Sequence, residues 1–274
     1  MFNCNGQLIH SLNEAPESIL NSLHRSLSIR EKVRLNHGKI LFWETHYFRL
    51  IAALRRHRFQ IPMNFTSDFL EGQIHKLIQL QSAEPARAGL FLFQFIHTNP
   101  IGFIVSFSIS ETLGLNDPKN IYTIDLFKEE LITANGIANL STTHCSLFHM
   151  AKNFAKENGL NDCILINEKK NLVEAISGTL YLYQKEDVLR TPSLISGCRD
   201  YAWRTAFNEW LQKHSSFSLI EEELSPFELQ QADAVFILSS AHGLTFVSDY
   251  RKTHYNKGNE QLILEQFIAY INQL

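Results

Sequence analysis

Alternating or continuous runs of apolar residues, the pattern typical of β-strands, dominate the first part of the chain. The predicted strands are MFNCNGQLI, residues 28–35, GLFLFQFI and IGFIVSFSIS. The last two are expected to be long and buried, and they are joined at Thr98-Asn99-Pro100, whose residue types favour a turn.

Between these strands, apolar residues recur at helical spacing. The spacing predicts an amphipathic helix over residues 44–57. Thr66 is the expected N-cap of a second helix, with Phe65 and Leu70 placed as a hydrophobic staple. The run of turn-forming residues over 111–120 is the best position for a domain boundary.

The second half of the chain again mixes strand and helix patterns. Predicted strands are IYTIDLF, CILIN, LVEAI, TLYLYQ, AVFILSS and LTFVS, and predicted helices cover about 145–158, 199–213 and 259 to the end. Ser225 and Glu228 form a capping box around Pro226, which predicts a short helix. We therefore predict an α/β (α+β) fold with two lobes. The N-terminal α/β lobe covers 1–112, a linker 113–120 and the C-terminal α/β lobe 121–274.

Composition excludes several classes of function. The 274 residues are 45% hydrophobic and 19% charged, with a net charge of -3, which gives no reason to expect binding to nucleic acid or to a membrane. No apolar run reaches the roughly 18 residues that span a bilayer, and the N-terminus lacks a secretory signal pattern. Four widely spaced cysteines favour a reduced, cytoplasmic compartment, and the 12 histidines form no metal motif, so we expect no metal site.

Two longer motifs carry a family resemblance. Gly159 to Pro192 reads as helix end, strand, turn, acidic residue, strand and Thr-Pro, and His37 to Leu50 ends in a His-x-x-Arg-Leu motif. Both are similar to the class IV aminotransferases, the fold-type-IV group of pyridoxal-phosphate (PLP) enzymes. That family includes branched-chain and D-amino-acid transaminases and 4-amino-4-deoxychorismate lyase. The resemblance implies two lobes with a cleft between them, PLP as cofactor and a homodimer.

The residue that binds PLP covalently in this family is a Schiff-base lysine, and Ser141 stands at its position in ANLSTTHC. A serine hydroxyl cannot form an imine, so the resemblance predicts a divergent member that binds PLP noncovalently if at all. Lys32, on another predicted strand, is the one remote substitute to consider.

Other cofactor-binding positions follow from the same resemblance. Arg49 stands where the family binds the cofactor phosphate, or else it is a surface arginine beside an apolar stripe. Glu174 matches the acidic residue beneath the pyridine nitrogen, or else it is a strand-edge glutamate facing water. Ala202 and Trp203 stand at the helix start whose backbone amides bind phosphate, where bulky residues are expected to narrow the site. Ser240 stands at a further phosphate-binding position.

Three cations alternate along the strand at residues 28–35. Strand geometry places Arg30, Lys32 and Arg34 on one face, about 6.6 Å apart, where neighbouring charges repel by roughly 2 kcal/mol. Arg87 stands near a substrate-side arginine of some relatives and joins this set. The cations predict a binding cleft for a multiply charged small anion. The alternative is an exposed edge strand whose charges oppose aggregation.

Two functional hypotheses remain. The first is a degenerate family member, a pseudoenzyme without standard transaminase or lyase activity, which binds a small anion. The alternative is an active PLP-dependent aminotransferase or aminodeoxychorismate lyase with an unusual site.

Like Ser141, Cys145 departs from the residue types that relatives have in this segment, where tyrosine or arginine often follows the lysine. A hydrolase built on Ser141 and His144 has little support, because no glycine elbow surrounds the serine.

Overall fold

The computed structural model of the chain describes residues 1–79, 88–110, 113, 121–141, 146–255 and 260–274. The chain divides into two compact units. The first unit comprises Met1–Leu113, Ser141–His144 and Leu274, and the second comprises Gly114–Leu140 and Cys145–Gln273. Within the described ranges, no helix is both long and apolar enough to span a bilayer. Both units combine helices with sheets, which confirms the predicted α/β class. Of the predicted linker, only Leu113 is described, so the lobe boundaries stay predictions.

The first unit is built on a six-stranded sheet in which every neighbouring pair is antiparallel. Its strands are β1 (Phe2–Cys4), β2 (Gln7–Ile9), β3 (Ser28–Asn36), β4 (Lys39–Ile40), β5 (Ala88–Ile96) and β6 (Gly102–Ile109). Its helices are α1 (Glu17–Arg25), α2 (Trp43–Arg56) and α3 (Ser67–Gln79). The strand order is β2-β1-β6-β5-β3-β4, so β3 lies one position from the edge of the sheet. The edge strand β4 pairs only with Leu35 and Asn36, the last two residues of β3.

Phenylalanines of β5 fill one face of this sheet. Phe91, Phe93 and Phe95 alternate along the strand and are fully buried. Trp43 of α2 contacts Phe93 with ring centroids 5.9 Å apart, and Phe65 contacts Phe95 at the same distance. Burial of each phenylalanine contributes about 1.5–3 kcal/mol, so this aromatic layer holds α2 against β3 and β5.

Helix α1 packs on the opposite face of the sheet, a feature that the apolar pattern did not predict. Ile19 of α1 lies in a buried cluster with Cys4, Ile96 and Ile104. A Cβ atom at Gly102 would lie 2.1 Å from Ile19 Cδ1, so the glycine permits the close approach of the helix. Few apolar residues mark α1 in the sequence, and its position depends on contacts far along the chain.

One strand prediction was wrong at the N-terminus. MFNCNGQLI forms the hairpin of β1 and β2 instead of one strand. Asn5 and Gly6 have φ angles of 49° and 89°, the left-handed conformation that two-residue hairpin turns require. The Asn-Gly pair was therefore the signal for a turn within the run.

The second unit contains two five-stranded sheets, in the orders β12-β11-β10-β13-β14 and β16-β15-β7-β8-β9. Its strands are β7 (Thr123–Ile132), β8 (Asp162–Asn167), β9 (Leu172–Ala175), β10 (Thr179–Gln184), β11 (Val188–Pro192), β12 (Ser218–Glu222), β13 (Ala234–Ser239), β14 (Gly243–Phe246), β15 (Asp249–Tyr250) and β16 (Thr253–His254). Its helices are α4 (Ser146–Glu157), α5 (Ala202–His214), α6 (Glu228–Gln231) and α7 (Glu260–Gln273). Strands β11, β12, β15 and β16 were not predicted, since they are short or carry many polar residues.

The turn between β9 and β10 fixes how these two strands lie. A Cβ atom at Gly178 would lie 2.2 Å from the carbonyl oxygen of Leu238 on β13, so only glycine fits there.

The predicted capping box is present in its glutamate half, because Glu228 accepts a hydrogen bond from the Ser225 N–H. The helix begins at Glu228 itself, two residues later than Pro226 indicated.

The cap of α3 provides a first test of the fold. The Phe69 N–H donates to Thr66 Oγ1 at 3.2 Å, which confirms the predicted N-cap. We expect Thr66→Ala to lower the free energy of unfolding by about 0.5–2 kcal/mol, because an N–H at the helix start loses its acceptor. Urea denaturation followed by circular dichroism measures the change. Thr66→Ser keeps the hydroxyl and is expected to remain close to wild type; equal losses in both variants would contradict the cap.

Candidate functional site

A buried glutamate, a histidine and an arginine meet in the first unit. Glu31 lies on β3, and His46 and Arg49 lie one turn apart on α2, which packs against that strand. His46 Nδ1 is 2.6 Å from Glu31 Oε1, and Arg49 Nε is 3.5 Å from the same oxygen. Glu31 and His46 are 7% and 2% exposed, so the three side chains interact away from bulk water.

The charge of Glu31 is set by these two neighbours. Burial alone would raise the pKa of its carboxyl, but Arg49 and His46 outweigh burial, and the net pKa lies below the usual value. Because the carboxylate is then an acceptor only, His46 Nδ1 donates the hydrogen bond. The same carboxylate holds the Arg49 guanidinium at a fixed position on α2. The sequence assigned Arg49 to phosphate binding, and that role stays a prediction.

The alternation predicted for β3 is present in the structure. Arg30 and Lys32 are exposed, whereas Ile29, Glu31 and Val33 are buried. Arg34 differs from the other two cations, because its side chain is almost fully buried and burial lowers its pKa. Only two of the three cations of this face are therefore accessible to solvent.

Polar groups adjoin the two exposed cations. Gln94 lies opposite Arg30 on β5, and its Nε2 donates to Ser28 Oγ at 3.0 Å. Leu92 lies opposite Lys32. The exposed part of this face, which we call the cationic face, consists of Arg30 and Lys32 with the partly exposed Gln94 beside them, while Ser28 is fully buried.

Ser141 lies next to the cationic face. Its carbonyl oxygen accepts a hydrogen bond from the Arg30 N–H at 3.0 Å. The contact places Ser141 beside β3, at the free side of that strand; its correspondence to the Schiff-base lysine stays a prediction. Arg87, His144 and Cys145 lie outside the described residues.

In the second unit, Glu174 on β9 is 1% exposed and binds Arg199. Arg199 Nε lies 3.1 Å from Oε1 and 3.3 Å from Oε2, and the Arg199 backbone N–H donates to Oε1 at 3.3 Å. Burial raises the pKa of the Glu174 carboxyl, and the charge and hydrogen bonds of Arg199 offset only part of that rise. The water-facing alternative for Glu174 is therefore wrong, because the side chain points inward.

Two aromatic rings flank the Arg199 guanidinium. Its central carbon lies 3.8 Å from the ring centroid of Phe148 on α4 and 5.0 Å from that of Tyr201. Cations at such distances are attracted to the ring faces by about 0.5–2 kcal/mol. The carboxylate and both rings thus contact the same planar cation. Sequence analysis missed Arg199, and the only signal was a cation in the loop before α5, where Glu174 needs a partner.

Bulky side chains occupy the start of α5. Tyr201 is the N-cap residue and makes no side-chain cap, while Ala202 and Trp203 are each 1% exposed. Arg204 follows, and its guanidinium bridges Thr191 Oγ1 at 3.3 Å and Glu221 Oε2 at 2.6 Å. The helix start is thus anchored by packing and by an internal ion pair.

The last predicted position, Ser240, is half-buried in the turn between β13 and β14. The neighbouring Ser239 Oγ accepts the His242 N–H at 3.0 Å, which closes this turn. Across the ranges that the structure describes, no group of three or more His, Cys, Asp or Glu side chains is arranged to hold a metal ion. The predicted site residues that the structure describes lie in two sets. The first unit holds Arg30, Lys32, Arg34, Arg49 and Ser141, and the second unit holds Glu174, Ala202, Trp203 and Ser240.

Comparisons with known proteins give the context for these sites. A sequence model of the family described as amino-transferase class IV matches residues 28–250. Among curated proteins, none matches significantly by sequence.

Three similar solved structures are two branched-chain aminotransferases and a putative 4-amino-4-deoxychorismate lyase. Branched-chain aminotransferase from the archaeon Thermoproteus uzoniensis, solved with norvaline, is 16% identical with a TM-score of 0.85, covering 99% of this chain and 94% of that one. The branched-chain amino acid aminotransferase of Escherichia coli gives the same values. A putative 4-amino-4-deoxychorismate lyase from Legionella pneumophila is 18% identical with a TM-score of 0.79, covering 97% of each chain. At these identities the similarity establishes the fold, and it confirms the predicted fold type.

The Glu31 cluster predicts a defined dependence of stability on pH. We expect Glu31→Gln to lower the free energy of unfolding by about 3–5 kcal/mol at pH 7, because the largely buried Arg49 loses its counter-charge and the His46 hydrogen bond loses a charged acceptor. The folded pKa of Glu31 is depressed, so its stabilisation is present above the unfolded pKa of about 4.3 and is lost as pH falls through the folded value. The difference between variant and wild type should therefore shrink in acid.

Urea denaturation between pH 7 and pH 3 measures this difference. Glu223→Gln is the matched control, since Glu223 is an exposed glutamate paired with Lys169 at 3.0 Å and is expected to contribute little. A Glu31→Gln deficit that stays constant from neutral to acid pH would show that the carboxylate charge does not stabilise the fold.

Proposed function

The chain belongs to the class IV aminotransferase family, and on this premise we propose that it is a divergent member without the family's usual transaminase or lyase activity. We propose that it binds a small, multiply charged anion instead. The observation that carries the proposal is the position of Ser141, whose carbonyl oxygen binds the Arg30 N–H at the cationic face.

The first argument concerns covalent cofactor binding. Relatives use a lysine amine at the Ser141 position, and a hydroxyl cannot replace it in forming an imine. Lys32 lies two residues from Arg30 on β3 and is exposed, so it remains the one alternative amine that we consider. A lysine there would have to reach PLP from a different strand, and covalent catalysis requires a fixed attack geometry.

The second argument is that the residues present do not fit PLP by the usual noncovalent contacts. In relatives, the position of Glu174 serves the pyridine nitrogen, but here its carboxylate already binds Arg199. The phosphate-binding helix start carries Tyr201 with Ala202 and the fully buried Trp203. We infer that the ring nitrogen of the cofactor and the part of its phosphate that meets α5 lack their usual partners, while Arg49 and Ser240 keep side chains that could bind phosphate.

The third argument concerns what the cationic face favours. Arg30 and Lys32 project from the same face of β3, and their mutual repulsion of roughly 2 kcal/mol falls when an anion lies between them. The partly exposed Gln94 adds a neutral hydrogen-bonding group, and its amide is held by the buried Ser28 hydroxyl. Phosphate and dicarboxylate groups match this combination, because they carry more than one negative charge and accept several hydrogen bonds.

Two further proposals have separate grounds, one in the family and one in the cysteines. We propose that the protein forms a homodimer, as its relatives usually do. We also propose a cytoplasmic location, because Cys4, Cys163 and Cys198 are free and buried, as expected in a reducing compartment.

Calorimetric titration with pyrophosphate and succinate tests anion binding. We expect the double variant Arg30→Ala with Lys32→Ala to weaken the Kd for the preferred anion by at least about tenfold, which is 1.4 kcal/mol. The matched control, Lys152→Ala with Lys156→Ala, removes two exposed cations from α4 and should leave the Kd unchanged. No binding of either anion to wild type, or equal weakening in both double variants, would end the proposal.

Treatment with PLP, borohydride reduction and peptide mapping tests the loss of cofactor chemistry. We expect no visible absorption band from lysine-bound PLP and no stoichiometric label on any peptide. The Lys32→Ala variant should behave identically. A stoichiometric label on Lys32 that disappears in this variant would favour the alternative function, an active PLP-dependent aminotransferase or aminodeoxychorismate lyase with an unusual lysine.

A further inference from the structure

Arg199 occupies a position that the sequence pattern did not assign to any function. We propose that Glu174, Phe148 and Tyr201 form a subsite for a flat, delocalised cation, and that the chain fills this subsite with its own Arg199. The proposal rests on contacts within the second unit and not on anion binding by β3, so either one can fail while the other holds.

The contacts to Glu174 define the charged side of the subsite. Arg199 Nε approaches both carboxylate oxygens, at 3.1 and 3.3 Å, and the backbone N–H of the same residue adds a third contact at 3.3 Å. With Glu174 only 1% exposed, water cannot serve as its main partner. A buried carboxylate without a cation is strongly destabilising, so the folded protein needs a cation such as Arg199 beside Glu174.

The two rings define the shape of the subsite. The Arg199 central carbon is 3.8 Å from the Phe148 centroid and 5.0 Å from the Tyr201 centroid. A guanidinium group stacks on aromatic faces and donates from its edge at the same time. A compact ammonium ion offers the charge without the flat face, so the subsite is expected to distinguish between the two.

A protonated heteroaromatic base has the same three properties as the guanidinium. It is flat, it is positively charged, and it carries an N–H in its plane. Arg199 therefore provides for Glu174 what a protonated ring nitrogen would provide. Because Arg199 is covalently attached, its effective concentration is high, and a free ligand must displace a pair that is already formed. We infer that the wild-type subsite is closed to such ligands.

Chemical rescue of Arg199→Ala tests this inference. The truncation removes the guanidinium and leaves the backbone N–H in place. The probes are methylguanidinium and 4-aminopyridinium, which are flat cations at neutral pH, and methylammonium, which has the charge alone; all are used at millimolar concentration and matched ionic strength. We expect the flat cations to raise the Tm of the variant saturably, by about 2–4 °C at about four times their Kd.

Three comparisons control the experiment. Wild type should show no saturable response, because Arg199 fills the subsite. The double variant Arg199→Ala with Glu174→Gln should also show none, because the carboxylate is gone. Methylammonium should raise the Tm of Arg199→Ala by clearly less than either flat cation.

Several outcomes would overturn the proposal. These are the absence of saturable rescue by the flat cations, equal rescue by methylammonium, and equal responses in wild type.

If Arg199→Ala does not fold alone, its folded fraction after refolding replaces Tm as the readout. The flat cations should then increase that fraction, since a ligand that binds only the folded state shifts the equilibrium toward it. Failure to do so counts equally against the subsite.

Discussion

A carboxylate removed from water needs a positive partner, and this constraint shapes both units of the protein. In the first unit, Glu31 is buried between β3 and α2, where it contacts His46 and Arg49. In the second unit, Glu174 is buried on β9, where Arg199 binds both of its oxygens. Breaking such a pair by removing one partner costs about 3–5 kcal/mol, a large share of the roughly 5–15 kcal/mol that stabilises a typical domain.

The two pairs have different consequences for the site. In the Glu31 cluster, Arg49 and His46 lower the pKa of the carboxyl, and the carboxylate holds an arginine on α2. At Glu174 the pKa is raised by burial, and the charge is neutralised by a loop of the same chain. Two buried glutamates of one chain thus differ in the direction of their pKa shift, because their partners differ.

Much of the fold could be predicted from the sequence, because strands such as β5 and β6 carry long apolar runs and α2 has clear helical spacing. The alternation of β3 was also predictable, since a strand has a period of two. The burial of Arg34 was not, because it depends on the residues that cover that end of the strand. The pairing of Glu174 with Arg199 was equally hidden, since 25 positions separate the two residues and no periodicity links them.

The chain returns to the first unit at Ser141 after it has already built β7 in the second. The first unit is therefore discontinuous in sequence, and no single cut separates it intact from the second. A fragment ending at Leu113 would lack the carbonyl group that accepts the Arg30 N–H, which leaves this N–H of β3 available to pair with other chains. Expression of the isolated N-terminal segment should consequently favour aggregation, and a useful excision would have to graft a short loop carrying Ser141 onto it.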